Sequence, residues 1–210
     1  MICWSCQKNV AATSFCSQCA AILPLAGRPD HFSLLGAPQR FTQDLPALER
    51  SYKESARAVH PDKFARADVH AKRASTQRTV ALNDAWRTLR DPVARAEYLV
   101  SLLGIELGAE DGTIRKTEDG QRKMPVPAAL LDEVMEAQEA LSVALCADNE
   151  VAVAGLHNDI QERKARSMSE AAAALDADAP IDAERAAAAL VAARYYRRLL
   201  ESFVTSKEHG

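Results

Sequence analysis

Ala56-Arg57-Ala58-Val59-His60-Pro61-Asp62-Lys63-Phe64 is the stretch on which the reading of this chain turns. A polar helix runs into a proline there and stops. Proline disfavours helical geometry in the residue before it, so the helix ends at His60 or just before. The turn that follows presents an imidazole, a carboxylate and an ammonium (His60, Asp62, Lys63), and another helical segment begins near Asp68. A tight turn between two helices, carrying charges with no local partner, reads as a presented recognition site. His60 also has a purely structural reading, as a helix-end histidine interacting with the dipole.

Working outward, Asp44 is a natural N-cap for the first helix, with Pro46 tolerated in its first turn. Leu48, Tyr52, Ser55 and Val59 recur at helical spacing and form one inward stripe. Arg50, Lys53 and Arg57 lie on the opposite face, where an ordinary solvated surface and a docking surface are both consistent with the pattern. After the turn, Asp68 caps a second helix whose apolar face includes Leu82, Ala85 and Leu89. It ends in Asn83-Asp84-Ala85-Trp86-Arg87-Thr88-Leu89-Arg90-Asp91-Pro92. Pro92 opens a further apolar helix that runs to Gly104. Ahead of these, His31-Phe32-Ser33-Leu34-Leu35-Gly36 is a short apolar turn of helix closed by glycine.

Residues 1–27 form a separate pattern. Cys3-Trp4-Ser5-Cys6 is followed after nine residues by Cys16-Ser17-Gln18-Cys19. Each Cys-x-x-Cys knuckle can place two thiolates on one ion, and a short hairpin can bring the pairs together. Four sulfurs suit tetrahedral zinc in a closed, structural site, with iron or a redox role as the alternatives. So short a segment has almost no core, so metal binding supplies its folding energy. Pro24, Gly27 and Pro29 then mark a linker.

Residues 105–127, rich in Asp, Gly and Pro, read as a loop or hinge. Residues 128–207 carry three helical patterns, with a break at Asp178-Ala179-Pro180. Short breaks favour antiparallel neighbours in a three-helix bundle. On the first of these helices Leu130, Val134, Ala137, Leu141 and Leu145 form the expected core face. Leu131, Met135, Glu136 and Glu139 fall on a second face, rotated by about a third of a turn. That face is either a binding stripe or the edge of a wide core. Cys146 reads as buried packing. His70 and His157 lack metal-ligand spacing, and His209 lies in a tail expected to fray.

The totals set bounds on function. With 210 residues the chain allows one or two domains. Abundant alanine and only 5% aromatics predict helices packed closely on small residues. A net charge of −3 argues against a general nucleic-acid binder. No apolar run approaches the roughly 20 residues that cross a bilayer. Cys3 and Cys6 follow Met1 too closely to leave room for a targeting peptide, which predicts a cytoplasmic protein. The cysteine grouping points to a reducing compartment. There is no Gly-rich phosphate loop and no nucleophile–base signature.

The tripeptide His60-Pro61-Asp62, with its basic helix before it, resembles the signature of J-domain co-chaperones. In that family the tripeptide joins two helices and stimulates the ATPase of a DnaK-type chaperone. The resemblance implies a chaperone-binding surface of His60, Pro61, Asp62, Arg50, Lys53, Arg57 and Lys63. Asn83-Asp84-Ala85-Trp86 together with Asp91-Pro92-Val93-Ala94-Arg95-Ala96-Glu97-Tyr98-Leu99-Val100 is similar to the HscB family, the J-proteins of iron–sulfur cluster biogenesis. That likeness covers about residues 31–206. It implies that Leu131, Met135, Glu136, Glu139 and Tyr195 bind an IscU-type scaffold. Asp132 stands where the family has an apolar contact, and Val143 replaces an acidic position of some relatives. The cysteine module resembles that of eukaryotic members.

The expectation is therefore a mainly α chain. It comprises a metal module over 1–27 ligated by Cys3, Cys6, Cys16 and Cys19, a J-domain with linking helix over 31–104, a hinge over 105–127 and a three-helix scaffold-binding bundle over 128–207. Its partners are an HscA- or DnaK-type chaperone and an IscU-type scaffold, with no nucleic acid and no membrane. A general J-protein for unfolded clients is the first rival, and the absence of a Gly/Phe-rich segment counts against it. A zinc ribbon that binds nucleic acid is the second. It needs basic residues around the knuckles, where there are only Lys8 and Arg28, with Trp4 and Phe15.

Overall fold

Short polar side chains set where the helices begin. Asp30, Asp44, Asp68, Asp91, Asn149 and Asp182 each accept a backbone amide two or three residues ahead, at 2.7–3.0 Å. Each satisfies an otherwise orphaned donor, worth about 1 kcal/mol. The computed structural model describes residues 1–107, 122–176 and 181–207, without the side chains of 122, 123 and 204–207. The elements are α1 (His31–Leu35), α2 (Leu45–Val59), a 3₁₀ turn (Pro61–Phe64), α3 (Val69–Arg90), α4 (Pro92–Leu102), β1 (Ile105–Leu107), β2 (Arg122–Met124), α5 (Ala128–Cys146), α6 (Glu150–Leu175) and α7 (Ala183–Lys207). The architecture is mainly α. The chain divides into two compact units, Met1–Arg95 and Ala96–Gly210.

In the first unit, α2 and α3 form a hairpin. Leu48 and Val59 of α2 are buried, with Tyr52 and Ser55 half-buried between them, as the inward stripe requires. Tyr52 stacks on Trp86 at 5.3 Å between ring centroids and donates its hydroxyl to Asn83 Oδ1 at 2.9 Å. Leu82, Ala85 and Leu89 are buried on α3. Phe32 and Leu35 anchor α1, and Ser51 Oγ donates to the Leu35 carbonyl at 2.7 Å. The start of the stretch that reads as a linker, with the residue before it, is tied down. Leu23 is fully buried, the Pro24 carbonyl accepts from Arg78, and the Leu25 amide donates to Gln77 Oε1.

In the second unit, α5, α6 and α7 share one core built on Leu130, Val134, Leu141, Val153, Ile160, Tyr196, Leu199 and Phe203. Two expectations on α5 are corrected. Ala144 takes the core position expected for Leu145, which is 37% exposed. A stripe stepping by three or four residues can continue from Leu141 to either, and the helix turns the smaller side chain inward. Cys146 is exposed, because it is the last residue of α5 and lies past the core. The segment read as a loop also holds a two-stranded parallel pair, with Ile105 opposite Arg122 and Leu107 opposite Met124. The expected break at Asp178-Ala179-Pro180 and the tail at His209 lie outside the described residues.

Candidate functional site

The His60-Pro61-Asp62 turn is held from behind. The Val59 carbonyl, which ends α2, accepts the buried hydroxyl of Ser75 on α3 at 2.6 Å. His60 then leaves helical geometry with ψ at 131°, as its position before proline demands. Its Nδ1 accepts the Asp62 amide at 3.3 Å, and its carbonyl accepts the Lys63 amide at 3.0 Å. The His60 side chain is 54% exposed and that of Asp62 is 92% exposed. The Asp62 carboxylate approaches His60 Nδ1 to 3.6 Å. The imidazole and the carboxylate thus stand side by side on the turn, both open to a partner. Arg50, Lys53, Arg57 and Lys63 are all exposed. Lys53 is paired with Glu49 at 2.7 Å, a surface pair worth little.

The four cysteines converge. Cys3 and Cys19 sulfurs are 3.7 Å apart, as are those of Cys6 and Cys16, and all four lie within 4.8 Å of one another. A tetrahedron with metal–sulfur bonds of about 2.3 Å has edges of about 3.8 Å, so the donor set fits a tetrahedral ion. The two knuckles repeat one backbone design. The Cys3 amide donates to the Lys8 carbonyl and the Cys16 amide to the Ala21 carbonyl. Gln7 and Ala20, each following a knuckle's second cysteine, both sit in the left-handed region at φ 59°. Antiparallel bridges at Ile2–Asn9 and Phe15–Ile22 close the hairpins. Burial opposes ionisation of Cys16, yet the Gln18 and Cys19 amides aimed at its sulfur bring the thiol down to about 6. The Lys8 amide favours a Cys6 thiolate, but desolvation and the neighbouring sulfurs outweigh it and hold that thiol up at about 11. Four such sulfurs cannot all ionise together without a cation among them. This is the one metal-ligating cluster among the described residues.

The second face of α5 is open. Leu131 is 40% and Met135 67% exposed, and Glu136 and Glu139 are exposed beside them. Met135, Glu136 and Glu139 line a shallow groove with Asp132 and Gln138. Glu133 turns away from it and belongs to the bundle, where it accepts the Tyr196 hydroxyl at 2.9 Å. Tyr195 is half-buried against the α7 side of the core and does not line the groove.

Against this geometry the comparisons with known proteins are decisive. Residues 126–203 match the family described as the HSCB C-terminal oligomerisation domain. The co-chaperone protein HscB homolog of Paraburkholderia phymatum is 37% identical over 146 residues, which cover 70% of this chain and 77% of the relative. The chain belongs to the HscB family. The HscB homolog of Burkholderia multivorans is 35% identical over 152 residues, covering 72% and 81%. The crystal structure of human HscB matches with a TM-score of 0.77 at 27% identity, over 98% of each chain. HscB from Vibrio cholerae matches with 0.63 at 26% identity, over 86% of this chain and 98% of its own. Membership in the HscB family supports a co-chaperone role in iron–sulfur cluster assembly and the part of a regulator rather than an enzyme. Among the described residues no helix is long and apolar enough to cross a membrane.

Two residues of consequence carry no sequence signal. Ser75 and Arg78 stand in the polar run Lys72–Thr79 and are nevertheless buried, Ser75 fully and Arg78 with 7% exposure. Their partners lie 16 and more than 50 residues away, beyond the reach of any local pattern.

Proposed function

We propose that this HscB-family chain is an adaptor that stimulates the ATPase of an HscA- or DnaK-type chaperone while delivering an IscU-type scaffold to it. The observation that carries this reading is the Asp62 carboxylate, 92% exposed beside His60 on a turn backed by Ser75 and Pro61. A rigid turn brings its charge to a partner without an ordering cost on binding. Contacts that differ between two states of the chaperone shift its equilibrium, and no bond is made or broken by this chain. Arg50, Lys53, Arg57 and Lys63 steer the encounter with an acidic partner surface, an effect that weakens with salt. Leu131, Met135, Glu136 and Glu139 supply the scaffold-binding face, with Tyr195 contributing from α7. Cys3, Cys6, Cys16 and Cys19 hold zinc as a structural ion, the metal that prefers a closed four-sulfur site.

The test is steady-state ATPase of the cognate chaperone with its scaffold. The chain is expected to stimulate turnover, and more so when the scaffold is present. Asp62→Asn, isosteric and fully exposed, is expected to abolish both effects without altering scaffold affinity. Full stimulation by Asp62→Asn would rule out the docking assignment, and stimulation indifferent to scaffold would favour a general J-protein.

A further inference from the structure

The cysteine module has almost no core apart from its own ligands. Its buried residues are Cys3, Val10, Cys16, Ile22 and Leu23, so two of the five are the candidate ligands themselves. A segment of this kind is a two-state element, folded with its ion and unfolded without it. In this protein it does not hang free. Arg78, on α3, is buried and gives its whole guanidinium to the module. Its Nε donates to the Leu23 carbonyl (2.5 Å), Nη1 to Ser14 Oγ (3.1 Å), and Nη2 to the Thr13 (2.7 Å) and Pro24 (3.2 Å) carbonyls. Burial lowers its pKa, and among the described residues no carboxylate pairs with it, so those acceptors are what solvates the buried cation. Trp4, inside the first knuckle, stacks on His70 of α3 at 5.4 Å.

The same helix holds the docking turn. Ser75, three residues before Arg78, donates to the Val59 carbonyl next to His60. A short path thus runs from the sulfurs through residues 13–24 to Arg78, along one turn of α3 to Ser75, and from there to the docking turn.

We propose that the metal centre is a conformational brace for the chaperone-docking turn: occupancy of the four-cysteine site sets, through Arg78, the order of α3 and the presentation of His60-Pro61-Asp62. Arg78 is a positioning residue in this scheme. When the ion leaves, residues 13–24 lose their fold and Arg78 loses its acceptors together. The guanidinium then draws water into a surface of α3 that was packed. The chain in this state retains its C-terminal bundle but offers the chaperone a loosened turn. Linkage makes the coupling reciprocal: what metal does for α3, Arg78 does for metal affinity.

The inference rests on the metal-binding reading, and its test separates the two. Zinc content and affinity of the full chain are measured by chelator competition, and amide hydrogen exchange is followed by mass spectrometry with no chaperone present. Removing zinc is expected to accelerate exchange across residues 70–82 by about tenfold or more, with α5–α7 unchanged as an internal control. Arg78→Met, loaded with zinc, is expected to show that fast exchange already, and to bind zinc more weakly by a similar factor. Ser14→Ala, which removes a single acceptor, gives a smaller shift in the same direction and covers the case in which Arg78→Met does not fold. Zinc that binds and leaves with no change in α3 exchange overturns the brace while leaving the metal site standing. A chain that binds no metal overturns both. Neither result bears on whether the turn stimulates a chaperone, which is read from Asp62→Asn.

Discussion

Glu133 sits where three helices meet, and its surroundings make a single residue measurable. It accepts the Tyr196 hydroxyl at 2.9 Å and pairs with Arg163, which Asp159 also holds at 2.9 Å. Burial first, and then the bond to Glu133, push the ionisation of Tyr196 up to about 12. The unfolded chain ionises at about 10. The folded state therefore prefers the protonated phenol. The stability this contributes is complete below about pH 10 and is lost as the pH rises towards 12. Tyr196→Phe is expected to cost about 1 kcal/mol at neutral pH, because Glu133 keeps Arg163 as a partner. Its denaturation midpoint is also expected to lose most of its fall between pH 10 and 12. An equally steep alkaline limb in the variant would place that sensitivity in another group.

At the scale of elements, the proposed docking turn rests on the junction of α2 and α3. Ser75→Ala leaves the Val59 carbonyl buried without its donor, at a cost of about 1–3 kcal/mol. The loss is expected in the denaturant transition of the first unit, together with weaker ATPase stimulation, since Val59 directly precedes His60. Unchanged stability would mean that water replaces the hydroxyl. The elements themselves were largely legible: Asp44, Asp68 and the proline after His60 set local boundaries, and local rules suffice for those. Non-local partners were not. The β1–β2 pair depends on residues 15 or more apart, and Arg78 reads as one more surface cation until its acceptors in residues 13–24 fold onto it. The choice of Ala144 over Leu145 as core was ambiguous because both fit the helical period. Leu131, Met135, Glu136 and Glu139 were found as a face by periodicity. Their exposure needed coordinates, because a wide core gives the same pattern.

At the scale of the whole chain, the adaptor reading requires two sites that act on one partner assembly while failing independently. Tethering raises the effective concentration of a scaffold at the chaperone without any new contact. The proposed sites belong to different compact units, so a variant in one is expected to leave the fold of the other intact. Met135 is 67% exposed and outside the bundle core, so Met135→Ser is expected to change stability by no more than about 0.5 kcal/mol. As an apolar side chain in a groove rimmed by Asp132, Glu136 and Glu139, it is expected to matter for scaffold affinity by about tenfold. The kinetic signatures then differ. Met135→Ser retains basal stimulation of the chaperone and needs about ten times more scaffold to reach synergy. Asp62→Asn loses both at every scaffold concentration. The double variant resembles Asp62→Asn, since a delivered scaffold is useless without the turn. If Met135→Ser instead lowered basal stimulation as much as Asp62→Asn, the α5 face would be contacting the chaperone itself, and delivery of a scaffold would need another surface.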